Sequence, residues 1–397
     1  MKDETILCVS PEAWTGMWRE RQQIMSRLAR DNRVLFVEPE RDFDKSYVNS
    51  LWCNLRHLPK IKVESISANL AVCSGPPSLP YASTTLPPAL LRITSPIVAT
   101  INCRSMYFHL RRILAKERVT APILWLFEPR HVGLIGRLGE KMVCYYVYDE
   151  IAEFRQHARH KEFIERCNQA ITRKADVVFA SSRSQYERRR PLNPNTYLTP
   201  NGVDFAHYYK ALDPNTLIPT DIAAVKRPIV GFIGLLCWHI DAELLLQIAQ
   251  AMPDWRVVLV GPDDFPRQGA YYGLKAQANV HFLGRKDVSL LPGYLKAFDV
   301  ALMPYRVMGH TKYAYPCKLH EYLAAGKPVV ATPLPELVSF QDVIELAPSA
   351  GEFIRKIRET VTNDSPDKIE KRLAVARQNT WDQRVASIKE AINSVLS

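Results

Sequence analysis

Short apolar runs rich in β-branched residues alternate with longer amphipathic runs along the chain, and this alternation constrains the fold more than any other feature. Successive β–α units of this kind build parallel sheets that helices cover on both faces. The pattern predicts an α/β protein with two doubly wound domains. Strands are predicted at Thr5–Ser10, Val34–Glu38, Ile123–Phe127, Val143–Tyr148, Val177–Ala180, Ile229–Ile233, Arg256–Val260, Val280–Leu283, Val300–Met303 and Val329–Thr332. Helices are predicted at 18–30, 104–117, 157–174, 241–252 and 366–378.

A stretch of weak periodicity divides the two predicted domains. Residues 205–226 include Pro214 and Pro219 and show little repeating apolar pattern, which favours a linker. The first domain is then expected over residues 1–204 and the second over 227–379. The last stretch, 380–397, has helical periodicity and is expected to pack back on the first domain.

Charge is distributed unevenly between the halves. Residues 1–200 contain 30 Lys and Arg against 20 Asp and Glu, whereas residues 201–397 contain 22 against 21. The segment from Lys45 to Phe127 holds ten cations and only two acids. This asymmetry favours an anionic partner for the first half, such as a phosphorylated lipid carrier or an anionic membrane surface. A basic protein tuned for solubility is the alternative. Nucleic-acid binding is disfavoured, because no cluster of aromatic and basic residues accompanies the charge.

Cysteine usage and hydropathy indicate the compartment. The eight cysteines are scattered without a C-x-x-C pair, and most lie within apolar runs, which suits buried reduced thiols better than disulfides or zinc ligands. The first ten residues lack the features of a leader, and no apolar stretch reaches about 18 residues free of charge and proline. We therefore expect a cytoplasmic protein, with any membrane contact peripheral at the inner face of the cell membrane.

The block from Lys312 to Glu336, KYAYPCKLHEYLAAGKPVVATPLPE, carries the most specific chemical signal. Pro316 and Gly326 punctuate a helix, and the strand Val329–Thr332 follows it. The unpaired N–H groups at the start of such a helix, near Cys317, face the crevice at the carboxyl ends of the strands. A diphosphate can bind there.

Two charged residues on this predicted helix complete a nucleotide site. Lys318 and Glu321 are three residues apart and share a helix face, so that one offers a cation to a phosphate and the other a carboxylate to ribose hydroxyls. Gly231 and Gly234 give a tight turn after a strand. A dehydrogenase is disfavoured, because neither half contains the glycine fingerprint of a dinucleotide site.

These motifs resemble those of the GT-B glycosyltransferases of the group 1 type, family 4, which are retaining enzymes that use nucleotide sugars. The resemblance is strong over about 195–335 and includes Pro200–Asp204, Ile229–Leu235 and the run LPGYLKAFDVALMPYR. That run followed by PCKLHEYLAAGKPVV is similar to teichuronic-acid-type and related cell-surface polysaccharide transferases. The resemblance implies a GT-B fold, in which two Rossmann-like domains face a central cleft.

The donor site that the resemblance implies departs from the family pattern. Two glutamates eight residues apart hold the donor in the family. Glu321 matches the second, ribose-binding one, whereas Tyr313 occupies the place of the first. Leu235 and Asp241 stand where the family has an Arg and a Lys for the diphosphate.

Other cations are expected to replace the missing positive charge. The candidates are Lys318, Arg285 and Arg306, and His239 is expected to donate a further hydrogen bond. The residues expected at the donor site are Gly231, Gly234, His239, Arg285, Arg306, Tyr313, Pro316, Cys317, Lys318, Leu319 and Glu321.

The catalytic candidates of the first domain follow its strands. Asp149 comes after Val143–Tyr148, close to the position where several family members carry a His beside the reacting sugar, and His131 comes after Ile123–Phe127. We expect Asp149 to contact the reaction centre or the acceptor hydroxyl, with His131 and Lys318 as further catalytic candidates. A helix N-cap and a surface histidine are the structural alternatives.

The Gly-Gly acceptor loop of the family is absent after the first strand. Trp14, Gly16, Trp18 and Arg19 stand there and are expected on the acceptor side, where the two tryptophans can stack on a sugar. A hydrophobic staple for the helix at 18–30 explains the tryptophans equally well.

No metal site and no resident cofactor are predicted. The D-x-D motif at Asp42–Asp44 has the form used by metal-dependent glycosyltransferases of another fold, but it lies in a charged loop. No His, Cys and Asp residues have convincing ligand spacing.

The sequence thus predicts a retaining, metal-independent transferase. It would move a hexose-type unit from a nucleoside diphosphate sugar to a hydroxyl of a carbohydrate or lipid-linked acceptor in surface polysaccharide assembly. A non-catalytic nucleotide-sugar-binding or scaffolding protein of the same fold is the alternative, because Tyr313, Leu235 and Asp241 replace residues of the family.

Overall fold

A computed structural model describes residues 1–16, 18–42, 61–79 and 88–396. The chain divides into two compact units, one formed by Met1–Pro200 with Arg384–Ser397 and the other by Asn201–Gln383. Phe43 and Asp44 of the D-x-D motif lie outside the described residues.

An eight-stranded sheet forms the centre of the first unit. The strands of the unit are β1 (Thr5–Val9), β2 (Arg33–Val37), β3 (Arg41–Asp42), β4 (Val63–Ser67), β5 (Leu70–Cys73), β6 (Pro77–Ser78), β7 (Ile123–Leu126), β8 (Met142–Val147), β9 (Val177–Ala180) and β10 (Thr196–Leu198). The sheet has the order β10-β9-β8-β7-β1-β2-β5-β4, and its β4–β5 pair is antiparallel while the other pairs are parallel. Strands β3 and β6 form a separate short pair.

Helices cover this sheet. They are α1 (Glu20–Leu28), α2 (Pro88–Lys116), α3 (Lys161–Lys174) and α4 (Arg183–Arg189), with 3₁₀ turns at Pro129–Leu134, Ile151–Glu153 and Arg155–His160. Met106, Leu110 and Ile113 of α2 are fully buried against β1, β7 and β8 in the core. Helix α2 begins at Pro88, well before the predicted start at residue 104. Pro96 lies within the helix and does not end it.

The second unit is built on a six-stranded, entirely parallel sheet of order β13-β12-β11-β14-β15-β16. Its strands are β11 (Ile229–Ile233), β12 (Arg256–Val260), β13 (Val280–Gly284), β14 (Val300–Met303), β15 (Val329–Ala331) and β16 (Glu345–Leu346). Its helices are α5 (Phe205–Tyr209), α6 (Thr220–Ala223), α7 (Ala242–Ala251), α8 (Ala270–Ala276), α9 (Leu291–Ala297), α10 (Lys318–Ala324), α11 (Ala350–Thr362) and α12 (Pro366–Arg377). Apolar clusters line both faces of the sheet, as a doubly wound domain requires.

Residues 205–226, predicted as a linker, fold as part of the second unit. They form α5, a 3₁₀ turn at Lys210–Leu212 and α6, and Tyr208, Ala211 and Ile222 are buried in its core. Helices of four or five residues are too short to show a periodicity in the sequence.

The last helix, α13 (Trp381–Leu396), passes from the second unit to the first. Its residue Lys389 pairs with Asp31 of the first unit, and the Ser394 hydroxyl lies 3.2 Å from that of Tyr197. All ten predicted strands are present, and the predicted fold class of two Rossmann-like parallel-sheet domains is confirmed.

Packing at Gly231 gives the first prediction. A Cβ on Gly231 of β11 would lie 2.1 Å from the ring of Phe298, which is fully buried. Gly231→Ala should lower the free energy of unfolding by about 1–3 kcal/mol, because a rigid buried ring must move. Gly351→Ala is the control, since nothing lies within 4 Å of its Cβ position in α11. Urea denaturation should separate the two variants, and equal midpoints would contradict the packing argument.

Candidate functional site

The carboxyl ends of β11, β12 and β13 meet through glycine backbone. Gly234 follows β11, Gly261 follows β12, and Gly284 ends β13; we call these three residues the glycine edge. The Gly234 N–H donates to the Val260 carbonyl at 2.9 Å, and the Gly261 N–H donates to the Gly284 carbonyl at 2.9 Å. A Cβ on Gly261 would lie 1.8 Å from the Gly234 carbonyl oxygen, and its φ of +145° also requires glycine. The glycine edge has no side chains, which suits the close approach of a ligand.

An ion pair between Lys318 and Glu321 lies beside the glycine edge. Lys318 Nζ is 2.7 Å from Glu321 Oε2, and the two side chains are only 18% and 14% exposed. Burial disfavours the ammonium, but the Glu321 carboxylate together with Tyr208 and Cys317 more than offsets burial and raises the pKa of Lys318. A Cβ on Gly234 would lie 3.6 Å from Lys318 Cε, so the lysine stem passes next to the turn. The structure thus places the predicted phosphate cation and ribose carboxylate together.

Tyr208 packs beside this ion pair and was not predicted from the sequence. It belongs to α5 and is buried, and its burial and the Glu321 carboxylate raise the pKa of its phenol. Tyr208 lies four residues after Asp204, the last residue of the Pro200–Asp204 motif, and this position was the one indication of its role in the sequence. The prediction of a linker over residues 205–226 left it out of the candidate site.

Tyr322 fastens the site helix to the sheet. Its buried hydroxyl accepts a hydrogen bond from the Ile233 N–H at 2.9 Å, directly before Gly234. The segment before the helix is held as well, because the Tyr315 hydroxyl lies 2.7 Å from His320 Nε2 and the Tyr315 carbonyl accepts from Asn201 Nδ2 at 2.8 Å. The first turn of α10 is therefore fixed relative to the glycine edge.

Asp241 has a structural role at the position where the family has a lysine. Its Oδ1 caps α7 by accepting from the N–H groups of Glu243 at 3.1 Å and Leu244 at 3.2 Å. Arg306 Nε lies 3.6 Å from the same oxygen. The charge of Arg306, predicted to face the diphosphate, is therefore partly balanced within the unit.

His239 is held in the loop between β11 and α7. Its Nδ1 lies 3.0 Å from Cys237 Sγ, and its ring stacks on Tyr305 with 6.0 Å between centroids. The Arg306 N–H donates to its carbonyl at 2.9 Å. The ring of His310, whose pKa is lowered by burial, lies 5.6 Å away. The imidazole predicted to donate to a diphosphate is thus part of an aromatic cluster.

The other predicted donor residues differ in accessibility. Arg285 directly follows β13 and is exposed, and Tyr313 ends the 3₁₀ turn Gly309–Tyr313 and is half-buried. Cys317 caps α10 and is half-buried, and Pro316 before it is buried. The side chain of Leu319 is fully buried in the core, because it lies on a different face of α10 from Lys318. Gly231 packs against Phe298 and is not part of the glycine edge.

A pocket of about 180 Å³ adjoins the loop that carries His239. Aromatic rings and two opposite charges line it: Trp238, Phe265, Tyr271, Glu243 and Arg306. Of the residues predicted for the donor site, Arg306 lines this pocket. This pocket is not predicted from the sequence, because its walls come from segments after three different strands, β11, β12 and β14.

In the first unit, Asp149 lies two residues after the end of β8 and interacts electrostatically with Arg19 and Glu20 at the start of α1. The pKa of Asp149 is raised to about 7: burial and the Glu20 carboxylate raise it, and the hydrogen bond from the Glu150 N–H at 2.8 Å opposes them. Arg19 lowers it. The structure therefore brings two predicted residues, Asp149 and Arg19, into one electrostatic environment.

Arg21 is a functional candidate that the sequence did not reveal. It is completely buried, with Nη1 2.7 Å from Glu12 Oε2 and Nη2 3.0 Å from Glu20 Oε1. Its guanidinium lies 4.2 Å from the centroid of the Tyr148 ring, next to Asp149. The sequence signal was an arginine in the first turn of a predicted helix, which is common on protein surfaces.

His131 is buried rather than placed on a surface loop. It belongs to the 3₁₀ turn Pro129–Leu134, and its Nε2 lies 3.3 Å from Glu40 Oε1. Its Nδ1 has no hydrogen-bond partner among the described residues. Beside it, the Arg130 guanidinium binds Glu128 at 2.7 and 2.9 Å. The pKa of Glu128 is about 2, because these contacts outweigh burial.

The tryptophans before α1 differ in exposure. Trp14 is buried and packs edge-on against Phe36 at 5.0 Å and Trp18 at 5.6 Å, whereas Trp18 is 46% exposed. Gly16 between them has a φ of +116°, which favours glycine. Arg19 caps α1, and its Nε lies 3.4 Å from Glu12 Oε2. Trp18 is the ring in this group with the larger surface open to a ligand.

Sequence comparison supports a group 1 glycosyltransferase assignment for the segment that builds the second unit's site. Residues 227–363 match the family described as Glycosyl transferases group 1. The predicted family resemblance is confirmed for this segment. A teichuronic acid biosynthesis glycosyltransferase of Bacillus subtilis, TuaH, is 33% identical over 143 residues. That match covers 36% of this chain and 35% of the relative, so it spans about a third of the relative's length.

Solved structures resemble the whole fold at low sequence identity. Sucrose-phosphate synthase of Thermosynechococcus elongatus is 16% identical, with a TM-score of 0.69 and 99% of both chains covered. A trehalose-phosphate synthase of Burkholderia vietnamiensis is 12% identical, with a TM-score of 0.71 and 100% and 98% of the two chains covered. HepE of Anabaena, in complex with UDP-glucose, is 16% identical, with a TM-score of 0.63 and coverage of 98% and 99%. The predicted GT-B fold is confirmed.

The environment of Asp149 predicts a pH dependence of stability. A carboxyl with a pKa of 3.8 unfolded and about 7 folded binds its proton more tightly in the native state, so it lowers stability as pH rises from about 4 to 7. Between pH 5 and 7.5, the free energy of unfolding should therefore fall by about 2–3 kcal/mol less in Asp149→Asn than in the parent protein. Urea denaturation at both pH values measures this, with exposed Asp254→Asn as the control. Parallel pH profiles for parent and Asp149→Asn would show that the carboxyl titrates normally.

Proposed function

We propose that the protein is a retaining glycosyltransferase. It would transfer a hexose-type sugar from a nucleoside diphosphate sugar to a hydroxyl of a carbohydrate or lipid-linked acceptor in surface polysaccharide biosynthesis. The observation that carries the proposal is the Lys318–Glu321 ion pair beside the glycine edge, within the segment that matches the group 1 family.

In the proposed donor complex each of these groups has a distinct role. Lys318 neutralises the diphosphate, and charge that develops on the leaving group is stabilised electrostatically. Glu321 accepts hydrogen bonds from the ribose hydroxyls. The ion pair holds both side chains in place before the donor binds, so less conformational freedom is lost on binding.

Additional positive charge is proposed to come from Arg285 and Arg306, without a metal ion. Arg285 is exposed at the end of β13, next to the glycine edge. Arg306 keeps a contact of 3.6 Å to Asp241, so it offers part of its hydrogen-bonding capacity. Tyr313 replaces a family carboxylate and offers a hydroxyl to the donor sugar.

On the first unit we propose that Asp149 contacts the acceptor hydroxyl or the reacting sugar. A group whose pKa is about 7 exists in both protonation states near neutral pH, so it can accept or donate a hydrogen bond. His131 is a second candidate, and the exposed ring of Trp18 offers a stacking surface for an acceptor sugar.

We also propose that the reaction takes place in the cytoplasm, at the inner face of the cell membrane. The seven cysteines in the described part of the chain are free thiols, and burial raises the pKa of Cys8, Cys73 and Cys144, which suits a reducing compartment. Among the described helices none has the length and apolar character needed to cross a bilayer. We propose that attachment to the membrane is peripheral.

A non-catalytic protein that binds nucleotide sugars is the second candidate. The replacement of three family residues by Leu235, Asp241 and Tyr313 favours it, since Asp241 adds a negative charge close to the proposed diphosphate site.

Donor hydrolysis without acceptor separates the two candidates. A panel of uridine, guanosine and adenosine diphosphate sugars is first screened by thermal shift, and the donor that stabilises the protein is then incubated with it. A transferase should release nucleoside diphosphate slowly, and the rate should be unchanged in EDTA. Binding without hydrolysis would favour the non-catalytic candidate. Loss in EDTA that a divalent metal restores would contradict metal independence and return attention to Asp42 and Asp44.

Removal of the ribose carboxylate tests the donor site directly. Glu321→Ala should weaken binding of the donor and of the free nucleoside diphosphate alike, by about 2–3 kcal/mol for a lost charged hydrogen-bond pair. Isothermal titration calorimetry measures this, with exposed Glu390→Ala on α13 as the control. An unchanged nucleotide affinity in folded Glu321→Ala protein would refute the assignment.

A further inference from the structure

The outer face of helix α2 exposes large apolar side chains. Ile97 is 53% exposed, Ile101 45% and Phe108 64%. Arg104 and Arg111 are exposed on the same face. The spacings between successive members are four, three, four and three residues, so they form one stripe along the helix. The stripe is about 21 Å long at 1.5 Å per residue.

The opposite face of α2 is fixed against the first unit. Met106 and Leu110 are fully buried, Asn102 Nδ2 donates to the Leu79 carbonyl at 2.9 Å, and His109 Nε2 lies 2.6 Å from the Ser74 carbonyl oxygen. The helix therefore has a defined rotation, and the exposed stripe is not a core face that has turned outward.

The charge of the helix is entirely positive. Residues 88–116 contain four arginines, one lysine and no Asp or Glu. Long cationic side chains among apolar ones can reach phosphate groups while aliphatic and aromatic groups lie deeper. An exposed helix face that combines apolar and cationic side chains in this way suits the interface of an anionic bilayer.

We infer that this stripe is the membrane-docking surface of the protein. Ile97, Ile101 and Phe108 would enter the boundary between headgroups and acyl chains, and Arg104 and Arg111 would bind anionic lipid headgroups. A second copy of the chain is a poorer occupant, because a symmetric contact would bring like charges together.

The structure changes which residues the sequence assigns to the contact. On the sequence alone, the basic run Leu86–Arg118 is the best candidate for a membrane contact, with Leu90, Leu91, Ile97 and Val98 as the apolar residues that would insert. Leu91 is buried and Val98 is half-buried, whereas the side chain of Leu90 lies outside the described residues. Ile97 remains, and Ile101 and Phe108 join it.

This inference rests on the proposed function, because a lipid-linked acceptor is the reason for a transferase to bind the membrane. Vesicle binding itself requires neither donor nor acceptor. A failure of docking therefore leaves the donor experiments intact, and a failure of donor binding leaves the docking experiment intact.

Vesicle sedimentation with the full chain tests the inference. The full chain is needed because residues from Arg384 onward belong to the first unit. The vesicles are phosphatidylcholine alone, or phosphatidylcholine and phosphatidylglycerol in equal parts. We expect at least tenfold stronger binding to the anionic vesicles, with release in about 0.5 M salt as screening shortens to a few ångströms.

Two double variants probe the two halves of the surface. Ile101→Asp with Phe108→Asp removes apolar insertion, and Arg104→Glu with Arg111→Glu reverses the charge. Each should reduce binding at least tenfold with an unchanged circular dichroism melting curve.

Matched controls lie in the second unit. Leu217→Asp alters an 87% exposed leucine, and Lys368→Glu with Lys371→Glu makes the same charge change on exposed lysines of α12. Both controls should bind like the parent. Equal binding to the two vesicle types, or equal losses in α2 and control variants, would overturn the inference. So would a dimer in sedimentation velocity that the α2 variants abolish, since the stripe would then bind a second copy.

Discussion

The backbone contact between Gly234 and Gly261 is the constraint on which the candidate donor site depends. Strands β11 and β12 run parallel in register from Ile229 and Arg256, so their carboxyl ends arrive at the same edge. Because a Cβ on Gly261 would lie 1.8 Å from the Gly234 carbonyl oxygen, the turns can meet only as glycines. The hydrogen bond from the Ile233 N–H to the Tyr322 hydroxyl then holds α10 against β11. This contact positions Lys318, the first residue of α10, relative to the glycine edge. The proposed phosphate site of this unit thus depends on how closely the ends of two strands approach each other.

Each candidate donor cation of this unit, apart from Arg285, has a counterion within it. Lys318 is paired with Glu321 and Arg306 approaches Asp241, so the local charge before a ligand binds is close to neutral. A diphosphate arriving there meets less positive charge than in a site that keeps the family cations. In the proposed complex, affinity must then depend more on hydrogen bonds that the ribose hydroxyls donate to Glu321 and that backbone N–H groups donate to phosphate. Since α10 has only seven residues, its dipole adds little to this balance.

Features that depend on residues close together in the chain could be predicted from the sequence, whereas contacts between distant residues could not. The ten predicted strands are all parallel, and nine of them are mostly buried, so they are continuous apolar runs that are visible in the sequence; β13 is half-buried along its length. The antiparallel strand β4 is mostly exposed and reads VESIS, so it lacks that signal. The spacing of Lys318 and Glu321 predicts their proximity because one helix turn sets it, whereas Tyr208 reaches them from a five-residue helix more than a hundred positions earlier. Leu319 was assigned to the donor site from its position in the motif, but its side chain belongs to the core.

The electrostatics of the candidate site in the first unit could not be predicted from the sequence either, because they arise from contacts between residues that are far apart in the chain. Arg21 is buried between Glu12 and Glu20 and lies on the Tyr148 ring, at the end of a strand far away in sequence. A buried arginine of this kind needs neighbouring carboxylates, and one of them, Glu20, also acts on Asp149. The pKa of Asp149 is therefore raised by burial, lowered by the hydrogen bond from the Glu150 N–H, and raised by Glu20, the carboxylate that also pairs with Arg21. In this unit the position of a candidate catalytic group follows from its strand, whereas its pKa follows from burial and from neighbouring groups on other segments.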